Sequence, residues 1–383
     1  MNTDVIVVGG GPAGAILAYL LAKSGLEVTL IEKANLPRYK TCGGGLTNKA
    51  VQALPFDASS TFEKEAIGGV VSFAGQLLLK TEVQTPFAWL VMREQFDHFL
   101  VQKAVDAGVR LLEKTIVTGL DVQPGQVVVH TMTGHLNARI IAGADGVGSI
   151  IARSVGLLQY RDVGIALEAE LEVPSNTLAD QGDYATFDFG ALPNGYGWIF
   201  PKKDHLSVGV FHASHEKING LRLILERFIA SHAILNNNRM IGIHGQQIPL
   251  GGEMTSLDKG RVLLLGDAAN LADPWLGEGI YYAIRSAFLA AEVIVDVIDN
   301  ATVDLSAYTV RVHQEIVRQL AYARSFAGMV YRLPRFGTNL LARSSIMQDI
   351  VFGAIRGDYS FQQMTKNLVW RMPNILVQAL VAH

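Results

Sequence analysis

Gly9, Gly11 and Gly14 fit the spacing G-x-G-x-x-G, directly after the β-branched run Val5–Val8 and ahead of Ala15–Ser24, which has helical spacing. Each glycine has its own task in dinucleotide binding. The first makes the turn, the second lets backbone approach a pyrophosphate, and the third lets helix and strand touch. Pro12 and Ala13 then open a helix whose free N–H groups and positive dipole end suit phosphates. Glu32 closes the next strand, Glu27–Ile31, 18 residues beyond Gly14, where a carboxylate accepts hydrogen bonds from ribose hydroxyls. Lys33 follows it. Strand, helix and acid in register predict a dinucleotide site, although this pattern alone does not separate FAD from NAD.

The sole cysteine, Cys42, precedes Gly43, Gly44 and Gly45. A glycine run clears side chains from backbone that borders a flat ring, with Cys42 as a small polarizable group beside it. Both an inert small hydrophobe and a reactive thiol fit that position. Tyr196, Trp198 and Phe200 alternate, so on a strand they project from one face, and Pro201 ends it. Such a wall is either an ordinary aromatic core face or the lining of a long apolar cavity. The ten histidines are scattered without an H-E-x-x-H pattern; His212, His215 and His232 read as surface or structural, and no metal is expected.

Strands at 5–8, 28–31, 140–144 and 262–265 read as one buried sheet that would carry these groups. The stretches 66–79 and 117–131 alternate and carry glycine turns, predicting antiparallel hairpins, and 163–210 reads as strands with turns. Helices are expected at 94–107, 221–231 and 279–298, then from 305 to 381 with breaks at Pro334 and Pro373. With 383 residues, 49% hydrophobic and 17% charged, the chain is too apolar to be disordered. One cysteine excludes a disulfide framework and a thiolate zinc cluster, and suits a reducing compartment. A net charge of −3 gives no electrostatic case for nucleic acid. Val5–Ala22 is uncharged, yet three consecutive glycines and Pro12 would break a spanning helix, and no basic segment precedes it as in a secretory signal.

Two later turns narrow the cofactor. Gly143-Ala144-Asp145-Gly146 ends one strand and Leu265-Gly266-Asp267-Ala268-Ala269 ends another. In this order behind the glycine fingerprint, they make the chain resemble the p-hydroxybenzoate-hydroxylase-like superfamily of FAD enzymes. That resemblance implies FAD, with Asp267 by the ribityl chain, Asp145 near the pyrophosphate as fold support, and Arg93 at a helix start as a further cofactor residue. Three more stretches, Pro37–Gly45, Pro193–Pro201 and Asp273–Ile280, look like the geranylgeranyl reductase family, flavoenzymes that saturate carbon–carbon double bonds of prenyl chains. The likeness covers nearly the whole chain and is weakest after about residue 305.

The family likeness implies an α/β fold: a Rossmann-like FAD-binding domain (1–65, 91–160 and 258–300), an inserted antiparallel-sheet substrate domain (66–90 and 161–257), and a C-terminal helical region (301–383). It places Cys42 in the active site. Gly43 and Gly44 would border the flavin, and Pro274, Gly277, Gly279 and Ile280 would bring a helix N-terminus to its pyrimidine edge, stabilising an anionic reduced ring. Tyr196, Trp198, Phe200 and Trp275 would contact substrate. An isoprenoid alkene offers no carbonyl to polarise, so hydride would come from reduced flavin N5, with a proton from Cys42, Tyr196 or water. NAD(P)H or a ferredoxin would supply electrons. Residues 301–383 carry +5 and the rest −8; basic residues among Leu, Phe and Trp370 suit a cytoplasmic protein in peripheral contact with a membrane. The competing reading is a monooxygenase or halogenase of the same superfamily acting on an aromatic substrate.

Overall fold

The computed structural model describes residues 2–83, 85–157, 162–214, 218–253, 255–300 and 304–381. The expected junctions at 160/161 and 301, and His215, lie outside them. The strand Asn2–Val8 runs parallel between Val28–Ile31 and Gly134–Gly143. Val262–Leu264 pairs outside Gly134–Gly143, and Arg110–Leu112 outside Val28–Ile31. The four strands read from their apolar runs thus share one sheet. They are apolar on both faces because both faces are covered. The fingerprint helix Pro12–Lys23 packs between the helices Arg93–Asp106 and Ile280–Asp299. The hairpin Val117–Gln123/Gln126–Thr131 is antiparallel and extends the same sheet through Gly134–Gly143.

A second sheet has seven strands in the order Arg239–Pro249, Val163–Glu172, Leu206–His212, Gly195–Pro201, Tyr184–Asp188, Gly68–Phe73 and Gln76–Glu82. It is mixed rather than purely antiparallel, since Tyr184–Asp188 runs parallel to Gly68–Phe73. The chain leaves after the Gly68–Glu82 hairpin, passes through the first sheet and returns, so no tight turn forces the two strands to oppose. One face packs on the amphipathic helix Leu221–Ser231, burying Leu171, Val208, Val210, Leu225 and Phe228. Tyr196, Trp198 and Phe211 instead belong to the main core. A small sheet of Gly45–Thr47, Ala88–Val91 and Phe62–Ala66 sits between.

Sequence periodicity missed the long strand Arg239–Pro249 and the short helix Ser175–Gln181 inside the strand-rich stretch. The C-terminal part is helical, and Pro334 does open a helix. Pro373 does not end one: Phe361–Val381 is continuous. Pro373 and Val369, whose carbonyl loses its helical donor there, lie on the exposed face, while Leu368 and Ile375 hold the helix to the core on either side. The breaks fall elsewhere, at Ser344, whose hydroxyl accepts from Met347 N, and at Gly357 in the left-handed region. Among the described residues no helix is long and apolar enough to cross a membrane.

Candidate flavin and substrate site

The fingerprint turn is built without room for side chains at two of its glycines. A Cβ on Gly14 would collide with the Gly9 carbonyl oxygen, and one on Gly9, at φ +109°, with the Ala144 carbonyl. At Gly11 the same atom would meet open space, so this glycine leaves a cradle rather than a packed contact. The helix that starts there has no side-chain cap, which leaves its first amides for a ligand. Glu32 is buried; its Oε2 accepts from Gly10 N at 2.9 Å and its Oε1 from Ala34 N at 2.9 Å. Oε2 also faces the Arg38 guanidinium at 3.5 Å, while Oε1 keeps a lone pair for a ribose hydroxyl. Lys33 is exposed. An open phosphate cradle, an uncapped helix end and a held carboxylate fit the adenosine side of a dinucleotide.

Ala13, Gly266 and Asp267 converge on the far side of this cradle. A Cβ on Gly266, at φ +53°, would stand 3.2 Å from that of Ala13, and Asp267 Oδ1 faces Gly279. Asp145 plays a different part. Its Oδ1 accepts from Ser149 Oγ at 2.6 Å and its Oδ2 from Ile150 N at 2.7 Å, capping the helix Ile150–Ser154. Its carboxylate is engaged in its own turn and supports the fold.

The loop after Ala272 is pinned from inside. Asp273 accepts from Trp275 N (2.8 Å) and Leu276 N (3.1 Å) while buried, and burial pushes its pKa up to about 6. Pro274 is buried and Gly277, at φ +71°, donates to the Asp273 carbonyl. Gly279 caps Ile280–Asp299 with no side-chain bond, so this helix end too is open. Glu278 ties the loop to the strand Gly45–Thr47: Thr47 Oγ1 donates to it and Lys49 Nζ lies 2.6 Å away.

The Cys42 turn stands where these parts meet. A Cβ on Gly43 would come within 3.1 Å of Phe200 and Trp198, so the turn packs directly on the aromatic strand. The rings of Tyr196, Trp198 and Phe200 follow one another at 6.3 Å, confirming a shared face, and Phe187, Phe189 and Phe211 close around Tyr196 at 5.6–5.9 Å. The Tyr196 hydroxyl donates to the Leu276 carbonyl at 2.7 Å, and burial holds it protonated far above the usual phenol range. Trp275 is buried against Phe326 and Phe361, and Tyr331 donates to its carbonyl.

Arg93 sits beside the Cys42 thiol, oriented by a bidentate pair with Asp97 at 2.7 and 2.9 Å. Asp97 is wholly buried and also accepts from Arg38 Nη1 at 3.0 Å. Asp97 was missed in the sequence, although its i+4 spacing from Arg93 on a helix was the signal that could have found it. So was Lys40: burial lowers its pKa, helped by Arg93, while Asp267, Cys42 and Asp97 oppose the shift. Also missed were Glu168, whose Oε2 accepts from Cys42 N at 2.8 Å, and Lys202, whose Nζ donates to the Gly43 carbonyl at 2.8 Å.

The family described as FAD binding domain matches residues 2–174. Digeranylgeranylglycerophospholipid reductase 1 of Methanopyrus kandleri is 30% identical, over 87% of this chain and 92% of its own. Geranylgeranyl diphosphate reductase of Synechocystis sp. is 30% identical over 78% and 77%. A crystal structure of a geranylgeranyl bacteriochlorophyll reductase-like protein from Thermoplasma acidophilum superposes with TM-score 0.83 at 25% identity, covering 98% of both chains. At 30% identity over nearly the whole length of a curated relative, the chain belongs to the geranylgeranyl reductase family of FAD-dependent oxidoreductases.

Proposed function

We propose that the protein reduces carbon–carbon double bonds of a geranylgeranyl-type lipid. FAD, when bound and reduced, supplies the hydride from its N5. The chain's own residues do the rest. Gly9, Gly11, Gly14 and Glu32 hold the nucleotide, Asp267 meets the ribityl chain, and the Asp273–Ile280 loop sets the helix end against the ring. Tyr196, Trp198 and Phe200 orient the alkene and exclude water. Cys42 and Tyr196 are the candidate proton sources by their position at this junction. The observation that carries this reading is the packing of the Cys42 turn on the aromatic strand, which joins a polar flavin site to an apolar wall.

In this reading 1–65, 91–160 and 258–300 form the FAD-binding domain, 66–90 and 161–257 the substrate domain, and 301–383 a helical region that rests on a membrane surface. Exposed Val369, Trp370, Val377 and Leu380 alongside Lys366 and Arg371 support that contact. NAD(P)H or a ferredoxin delivers electrons. Anaerobic incubation of the dithionite-reduced protein with a digeranylgeranylglycerol lipid and with geranylgeranyl diphosphate tests the proposal by product mass. Saturated product without oxygen supports it; product that forms only with oxygen overturns it.

A further inference from the structure

Two buried charges on the seven-stranded sheet are not used by the chemistry above. Glu168 and Lys202 are each 1% exposed. Glu168 lies in Val163–Glu172, whose alternate residues Ala169 and Leu171 pack in the core beneath the helix Leu221–Ser231. Glu168 and Glu170 therefore point to the opposite face, toward the Cys42 turn. Lys202 directly follows the strand that carries the aromatic wall.

Each charge takes hold of the turn. Glu168 Oε2 accepts from Cys42 N at 2.8 Å and Oε1 from Ser207 Oγ at 2.6 Å; Ser207 Oγ in turn accepts from Trp198 Nε1 at 3.3 Å. Lys202 Nζ donates to the Gly43 carbonyl at 2.8 Å and the Val91 carbonyl at 2.9 Å. Gly44, at φ +69°, lies so close that a Cβ there would stand 2.6 Å from Lys202 Nζ. Burial of an ammonium is unfavourable unless its donors are met and a countercharge is near, and here burial lowers the Lys202 pKa while Glu168 and Glu170 oppose the shift. A sheet that needed only packing would carry apolar residues at both positions. The expense is explained if the groups hold something whose position matters.

We propose that Glu168 and Lys202 are positioning residues for Cys42: one grips the turn by its first amide, the other by its next carbonyl, fixing the thiol against Arg93 and the aromatic wall. Tyr39 and Glu170 support the grip from outside, since the Tyr39 hydroxyl donates to Glu170 Oε1 at 3.3 Å, and His205 Nε2 lies 3.1 Å from Glu170 Oε2, off the axis of a hydrogen bond. The inference rests on the reading of Cys42 as an active-site residue.

Cys42 is the only thiol in the chain, so iodoacetamide labelling of the FAD-loaded protein, read by intact mass, reports on that one site. Glu168→Ala and Lys202→Met free the turn and raise the labelling rate by about tenfold or more, whereas Glu168→Gln, whose amide oxygen still accepts from Cys42 N, stays within about threefold of wild type. Val208→Ala, a truncation in the same sheet away from the turn, also stays within about threefold. Wild-type rates in both clamp variants, or equal acceleration by Val208→Ala, overturn the proposal. Should Lys202→Met fail to fold, the Glu168→Ala and Glu168→Gln pair decides it. An unchanged turnover in Cys42→Ala would remove the active-site reading alone, since the labelling rates still report on the grip.

Discussion

Asp273 caps its own loop with both oxygens while cut off from water, and burial pushes its pKa up to about 6 against the pull of the Trp275 and Leu276 amides. Because the folded value lies above the ordinary one, the stability tied to the protonated carboxyl is complete below about pH 4 and lost as pH rises through 6. Asp273→Asn cannot titrate, and its NH2 takes the place of one of the two accepting oxygens; its melting temperature is therefore expected to stay level across that window while that of wild type falls, when melting curves of the two are compared at each pH. Cys42→Ala is expected to lower turnover by about tenfold or more while the absorbance of bound FAD is unchanged. Tyr196→Phe keeps the ring packing but leaves the Leu276 carbonyl without its donor, a loss of about 1 kcal/mol by thermal melting. If Tyr196 supplies the proton, kcat falls as well with KM held.

At the scale of elements, the fingerprint turn is the most exacting joint, since helix and strand touch through Gly14. Gly14→Val should yield a folded but nearly colourless protein, with FAD content below about a tenth of wild type, because the added side chain meets the Gly9 carbonyl. This turn, Glu32 and the strand after it were legible because binding a pyrophosphate imposes residue types at fixed spacing. Arg93 was read from the family likeness alone; its partner Asp97 was missed, though the period of the helix places the two on one face. Glu168 was not legible. In the run Ile-Ala-Leu-Glu-Ala-Glu-Leu-Glu an acid at alternate places reads as a solvated face, and what covers it is a turn from more than a hundred residues earlier. Pro373 misled by the opposite route: a local breaker was overridden by burial of Leu368 and Ile375 on either side.

Across the whole molecule, two sheets of different construction meet along one seam, and the Cys42 turn runs in it. The sheet built around Asn2–Val8 brings open helix ends and a carboxylate; the seven-stranded sheet brings rings. The C-terminal helices cover Trp275 through Phe326 and Phe361, yet turn outward Trp370, which is 79% exposed. Trp370→Glu, with the site untouched, should weaken sedimentation with anionic vesicles by about threefold or more and leave reduction of detergent-dispersed substrate as in wild type. Equal binding by both proteins would remove the membrane contact and leave the chemistry standing. The account as a whole is met most directly by following the flavin itself. Pre-reduced protein mixed without oxygen with a geranylgeranyl lipid should regain the oxidised flavin absorbance in step with the loss of double bonds; a flavin that stays reduced until air is admitted would contradict it.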